Sequence, residues 1–200
     1  MKKIIDIFLR SLLTGVAIAI GGTVYLSCPN KYLGAFLFGI GLFVILSFSF
    51  NLFTGKVGYA VENKPSYLGE LGIIWLPALL IAQTRISTIS DKATELCNIK
   101  LGDNITSVFI LSFFCGILMF VAADGYKTIQ NPVGQILAIF LPVVVFILSG
   151  FEHCVANMYF FTIADLWSIK AFGYLIIMSL GNSIGGILIP LLRKGFVSKA

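Results

Sequence analysis

The sequence predicts an all-α membrane protein with six transmembrane helices, arranged as an inverted three-plus-three repeat in which helices 2 and 5 are broken. The class follows from composition: 58% of the 200 residues are hydrophobic and only 12% are charged, with a mean hydropathy of +0.98. A soluble domain of this size needs more polar surface. The repeat follows from polar residues that interrupt the second and the fifth apolar runs at membrane depth, which is typical of inverted repeats with a site at the midplane.

The apolar residues form six runs, and one membrane-spanning helix takes about 20 residues. The runs are 5–27, 33–61 with a break, 69–84, 106–123, 133–164 with a break, and 171–192. Lys2, Lys3 and Arg10 resemble the start of a signal peptide, but no small-residue cleavage site follows them. We therefore expect the first run to be retained as a span, and one transmembrane domain to cover residues 1–200.

Basic residues predict the orientation. Six spans put both termini on one side, and that side carries nine lysines and arginines against five on the other. The more basic side is usually cytoplasmic, so we expect both termini in the cytoplasm of a multi-pass protein of the inner or plasma membrane. The net charge of +5 is scattered over helix ends and does not indicate a nucleic-acid partner. The four cysteines lack metal-ligand spacing, so we expect no metal and no cofactor; whether Cys28 and Cys97 pair stays open.

The break in the fifth run contains Glu152 and the only histidine of the chain, His153. A charged residue at membrane depth costs about 2.5–3.5 kcal/mol and usually serves a function, although a paired structural glutamate and a core histidine are the alternative. The break in the second run, residues 51–56, would by itself be read as a short cytoplasmic hairpin. The two breaks together favour a pore, because irregular backbone at this depth is tolerated only when it is buried or lines a cavity.

Three segments resemble those of one family of membrane proteins. Residues 151–158 read Phe-Glu-His-Cys-Val-Ala-Asn-Met and resemble the loop that breaks the fifth helix in the formate/nitrite transporter family of pentameric anion channels. Leu52, Phe53 and Thr54 resemble the Leu-Phe-Thr loop of its second helix, and residues 181–186 look like its Gly-Asn-x-x-Gly-Gly segment. The resemblance implies an aquaporin-like channel domain, a homo-pentamer in the lipid bilayer, and transport of small monovalent anions of weak acids: hydrosulfide, formate or nitrite.

The resemblance also implies roles for individual residues. The pore and substrate-binding residues would be His153, Thr54, Leu52, Phe53, Asn157 and Lys100, the last as the cation of the outer vestibule. The apolar constrictions would be Phe38, Leu42, Phe146 and Met119, and Glu152 would be a structural support. The alternatives are ordinary core or lipid-facing packing for the constriction residues and a solvated loop position for Lys100.

Electrostatics at the breaks suggests how a solute would pass. The restart of a helix presents free N–H groups and a positive dipole end, which favour an anion and, with burial, a neutral His153. Apolar rings around this site would favour passage as the neutral acid. Two departures from the family, a thin third span and Gly116 in place of a polar residue expected on the pore side, slightly favour hydrosulfide as the substrate. The other functions considered are an intramembrane enzyme that uses Glu152 and His153 as acid and base, which lacks a nucleophile, and a structural membrane subunit.

Overall fold

The computed structural model describes residues 2–61, 80–81, 84 and 89–197, and the regular structure in this part of the chain is helical. The α-helices are α1 (Lys2–Ser27), α2 (Lys31–Ser47), α3 (Phe53–Lys56), α4 (Ser90–Gly102), α5 (Ile105–Thr128), α6 (Pro132–Leu148), α7 (Cys154–Ile163) and α8 (Ile169–Val197), with a 3-10 helix, Val57–Val61, directly after α3. The helical segments Ile5–Ser27, Ile105–Thr128 and Ile169–Gly195 are long and apolar enough to cross a membrane. Most of the predicted third span, 69–84, lies outside the described residues.

Asparagines define where three of these helices begin. The side-chain oxygen of Asn30 accepts hydrogen bonds from the first turn of α2, and Asn104 and Asn131 do the same for α5 and α6. Pro132 follows in the first turn of α6, where its missing N–H costs nothing. These caps fix the ends of the helices at the loops, where the apolar runs start.

The predicted breaks in the second and fifth spans are confirmed, and both have the same geometry. Ser49, two residues after the end of α2, has a φ of +54°, and Gly150, two residues after the end of α6, has a φ of +69°. After them the N–H of Phe50 donates to the carbonyl of Ile45 at 2.8 Å, and the N–H of Phe151 donates to that of Phe146 at 2.9 Å. This bond across five residues, behind a left-handed residue, is the Schellman ending of a helix.

The short helix that follows each break packs into the other half of the molecule. The first halves of the broken spans, α2 and α6, pack against each other. Helix α3 contacts α5 and α8, and the 3-10 helix after it also contacts α8. Helix α7 contacts α1 in return, together with α4 and α8. The two breaks therefore meet inside the protein, where the site is built.

Glycines set the distance between α5 and α8. A Cβ added at Gly181 would lie 2.8 Å from the carbonyl oxygen of Phe109, and one added at Gly185 would collide with the backbone of Phe113. Gly116 lies in the same seam, because a Cβ there would collide with the backbone of Asn182. This differs from the expectation that position 116 lies on the pore side: glycine is present because the two backbones touch.

Helix α4 occupies the segment between the third and fourth apolar runs, for which the hydropathy pattern predicts a loop. It is largely polar, but it buries Ala93, Cys97 and Lys100, which lie on one helical face because residues four and seven apart share a face. This face packs against α7. Lys100 therefore occupies the last turn of a helix, where a positive charge is favoured by the helix dipole, and the alternative of a solvated loop lysine is wrong.

Candidate functional site

His153 and Thr54 join the two breaks. The Nε2 atom of His153 lies 2.8 Å from the Thr54 hydroxyl oxygen. The Nδ1 atom of the same ring accepts a hydrogen bond from the N–H of Ala156 at 3.1 Å and so caps the start of α7. A ring that accepts at Nδ1 carries its single proton on Nε2. The neutral imidazole is thus oriented with its N–H toward Thr54, and a proton added at Nδ1 would remove the helix cap.

Glu152 forms a buried ion pair with Lys100. The lysine Nζ lies 2.6 Å from the Glu152 Oε2 atom, and the side-chain N–H of Asn157 donates to the same oxygen at 2.6 Å. The exposed fractions are 9% for Lys100, 3% for Glu152 and 1% for Asn157. Charges this deeply buried need such partners. The positive charge of Lys100 is therefore neutralised locally by Glu152, next to the histidine.

Asn182 of α8 holds the second break in place. Its side-chain oxygen accepts a hydrogen bond from the N–H of Cys154 at 2.9 Å. Its amide nitrogen donates to the carbonyl oxygens of Ser112 at 2.7 Å and Glu152 at 2.8 Å. One buried side chain thus satisfies backbone groups of α5 and of the break, groups that would otherwise be costly to bury without a partner.

A cavity of about 40 Å³ lies above His153, where 'above' means toward the predicted outer side of the membrane. Five of the residues singled out from the sequence line it: Phe38, Lys100, Phe146, His153 and Asn157. The ring of Phe146 has its centroid 5.7 Å from that of His153 and meets the Phe38 ring edge-on at 5.8 Å. The cavity therefore joins apolar aromatic walls to a small polar floor.

The remaining predicted site residues are buried but do not line this cavity. Thr54 contacts His153 from below, and Glu152 lies behind Lys100 and Asn157. The other four are packed in the hydrophobic core: Leu42, Leu52, Phe53 and Met119. Their predicted roles as pore or constriction residues stay predictions.

A wider cavity of about 360 Å³ lies on the predicted outer side. Its lining carries two basic side chains, Lys31 and Lys92, and one acidic side chain, Glu95. Tyr25 and Leu96 line both this vestibule and the cavity above His153. All four cysteines of the chain are free thiols, so Cys28 of the vestibule and the buried Cys97 do not pair here.

Two residues of this arrangement are not among those that the sequence predicts. Asn182 lies in segment 181–186, whose glycines predict close helix packing, although a polar residue in the middle of an apolar span is itself a signal of a buried network. Tyr25 lies near the end of a span, where an aromatic residue is usually an interfacial anchor. Only the three-dimensional arrangement places it beside Phe38.

The sequence is similar to known membrane transport proteins. Residues 1–194 match the family described as Formate/nitrite transporter. The chain is 28% identical to the uncharacterized transporter YrhG of Bacillus subtilis, over 78% of this chain and 68% of YrhG. It is 23% identical to the formate channel FocB of Escherichia coli, over 78% of this chain and 65% of FocB, which is slightly less than two thirds of that protein. It is 24% identical to a formate-nitrite transporter of Plasmodium knowlesi, over 92% of this chain and 74% of that protein.

Two solved structures share the fold. A pentameric formate channel with formate bound superposes with a TM-score of 0.82 at 24% identity, covering 100% of this chain and 99% of that one. A structure described as an FNT family ion channel superposes with a TM-score of 0.76 at 19% identity, covering 96% and 90% of the two chains. Together with the match over residues 1–194, these findings show that the chain belongs to the formate/nitrite transporter family.

Proposed function

We propose that this protein is a channel for small monovalent anions of weak acids, with formate, nitrite and hydrosulfide as candidate solutes, and that each protomer of a homo-pentamer has its own pore. The single observation that carries the proposal is the cavity above His153, because it joins aromatic walls to a neutral imidazole at a helix start. The protein would span the cell's inner or plasma membrane several times, and both of its termini would lie in the cytoplasm. The vestibule would then face outward, and its basic excess would favour anion entry.

The apolar walls decide the form in which a solute passes. At pH 7, protonating a carboxylic acid of pKa about 4 costs about 4 kcal/mol. Moving a bare ion into an apolar medium nominally costs tens of kcal/mol. Passage as the neutral acid is therefore the less costly route past Phe38 and Phe146. The proton would be shared or supplied at His153.

The ion pair of Glu152 supports a channel rather than an enzyme. Its Oε2 atom is held by Lys100 and Asn157, and all three side chains are buried, so we expect the carboxylate to support the structure rather than to act as a base. Lys100 lies in the cavity wall, but its charge is compensated by Glu152. Its role is then to offer hydrogen bonds rather than to attract anions over a distance.

The choice among solutes no longer rests on Gly116. The slight preference for hydrosulfide rests on two departures, Gly116 and the thin third span. The first no longer supports it, because Gly116 lies in the seam between α5 and α8, and most of the third span, 69–84, lies outside the described residues. Formate, nitrite and hydrosulfide are therefore proposed together, as one chemical class of small, monovalent, weakly acidic solutes.

Uptake into proteoliposomes that contain the purified full chain tests the proposal. Formate, nitrite and sulfide are supplied in parallel, with sulfate as a doubly charged control and empty liposomes as a background. The flux into empty liposomes must be subtracted for sulfide, because its neutral form crosses lipid unaided. We expect flux of at least one monovalent solute above background and none of sulfate. No flux of any of the three would overturn the channel assignment.

A further inference from the structure

Tyr25 lies at the junction between the two cavities. It is one of the two residues, with Leu96, that line both the vestibule of about 360 Å³ and the cavity of about 40 Å³ above His153. A solute moving between the two volumes must pass this position. The first helix thereby contributes a side chain to a passage whose other aromatic walls come from α2, α6 and α7.

The ring of Tyr25 is held in place by its neighbours. It meets the ring of Phe38 edge-on, with centroids 6.3 Å apart, and lies tilted against Phe160 at 6.2 Å. Gly34 provides the space for it, since a Cβ at that position would lie 3.3 Å from the tyrosine Cδ2 atom. These contacts fix the ring in the wall without any hydrogen bond.

The hydroxyl of Tyr25 makes no hydrogen bond to any residue that the structure describes, in contrast to two other tyrosines of the chain. The hydroxyl of Tyr159 lies 2.7 Å from the Thr23 hydroxyl, and that of Tyr174 donates to the carbonyl of Asp103 at 2.6 Å. A partly buried tyrosine hydroxyl normally has a partner. Tyr25 therefore retains a donor and an acceptor for a molecule that passes through the junction.

We infer that Tyr25 forms the outer gate of the pore, a role that rests on the proposed channel function. Its ring restricts the size of a solute that leaves the vestibule. Its hydroxyl replaces one water molecule of the solute's hydration shell before the solute reaches Phe38 and Phe146. Because a hydroxyl both donates and accepts, it serves an anion and a neutral acid alike.

Tyr25→Phe tests the hydroxyl alone, because the ring and its packing are kept. Formate uptake by proteoliposomes should fall about 3- to 10-fold, as expected for one lost hydrogen bond. Sulfide, a poor hydrogen-bonding solute, should change less. Tyr32→Phe is the matched control, since Tyr32 is 72% exposed at the start of α2, and it should leave both fluxes unchanged. An unchanged ratio of formate to sulfide flux in Tyr25→Phe would overturn the role of the hydroxyl.

Tyr25→Ala tests the ring. Removing it should widen the junction and raise the flux of lactate relative to formate roughly tenfold, since steric selection between solutes of different size is of this order. Flux is normalised to the protein incorporated, and the ratio of the two solutes is independent of how much protein folds. An unchanged ratio would overturn the gating role. Absence of flux in the wild-type protein would overturn both proposals, whereas flux with identical ratios in all variants would overturn only that of Tyr25.

Discussion

Ser49 and Gly150 occupy equivalent positions in the two halves of the molecule, as the left-handed residues that end α2 and α6 before each break. Each is followed by a phenylalanine whose N–H reaches back five residues. A Cβ at Gly150 would meet nothing within 4 Å, so the preference for glycine there is purely conformational. The first half forms the same motif with a serine.

Exchanging these residues isolates the conformational cost of the break. Gly150→Ser should lower the free energy of unfolding by about 1 kcal/mol, because a left-handed backbone disfavours a Cβ. Ser49→Gly should raise it by up to about 1 kcal/mol, because at an equivalent position it is the reverse exchange and relieves the same strain. Thermal unfolding in detergent measures both variants. Destabilisation by both exchanges would contradict the equivalence.

The Lys100–Glu152 pair should act as one unit in stability. Glu152→Gln and Lys100→Met should each destabilise the protein by about 3–5 kcal/mol, because each leaves the other charge buried without its partner. The double variant should be clearly more stable than the sum of the single effects predicts. A double-mutant cycle of thermal unfolding measures the coupling. A Glu152→Gln protein that assembles normally but passes different anions would show instead that the glutamate contacts the solute.

Asn182 should contribute strongly to the stability of the protein, although its side chain is uncharged. Asn182→Ala removes three hydrogen bonds to the backbone and should destabilise the protein by about 3 kcal/mol or more. The control is Asn104→Ala, which removes an exposed cap from the start of α5 and should cost about 1 kcal/mol. The two melting temperatures should therefore differ by several degrees. Similar values would mean that the break does not depend on Asn182.

Gly116 should not tolerate a side chain. Gly116→Ala and Gly116→Asn should both destabilise the protein, the alanine by about 1–3 kcal/mol, because the added atoms would separate α5 from α8. Gly173→Ala is the control: a Cβ there meets nothing within 4 Å, and alanine should stabilise the helix by about 0.5–1 kcal/mol. If Gly116→Asn folds as well as the wild type and alters anion selectivity, position 116 faces the pore after all.

The sequence predicts the apolar helices and their breaks because these depend on local chemistry. Residues 51–56 place Asn, Thr, Gly and Lys together inside one apolar run, and Gly150, Glu152 and His153 interrupt another. Such clusters of polar residues and glycine are typical helix ends. The partner of Glu152 could not be predicted in the same way. Lys100 lies 52 positions earlier in the chain, on a polar helix whose buried face is only Ala93, Cys97 and Lys100. Which lysine meets which glutamate is decided by the packing of α4 on α7.

The positions of Tyr25 and Gly116 in the fold could not be predicted from the sequence either, because they depend on how the helices pack. Nothing in the sequence around Tyr25 separates a pore wall from an interfacial anchor, and nothing around Gly116 separates a pore side from a helix seam. Both assignments depend on how the helices are rotated about their axes. Rotation is set by contacts between distant segments, such as Gly34 against Tyr25 and Gly116 against Asn182.

The pH dependence of His153→Asn tests the central claim most directly. Asparagine is itself a good helix cap, so it can accept the bond from Ala156 and keep α7 in place while it removes the titratable ring. Uptake of formate and sulfide is measured from about pH 5 to about pH 8, a range that includes the ordinary titration of an unperturbed imidazole. In the wild type, acidification should stimulate formate uptake. In His153→Asn this stimulation should be lost while sulfide flux persists; an unchanged pH profile for both solutes would show that His153 only packs and caps.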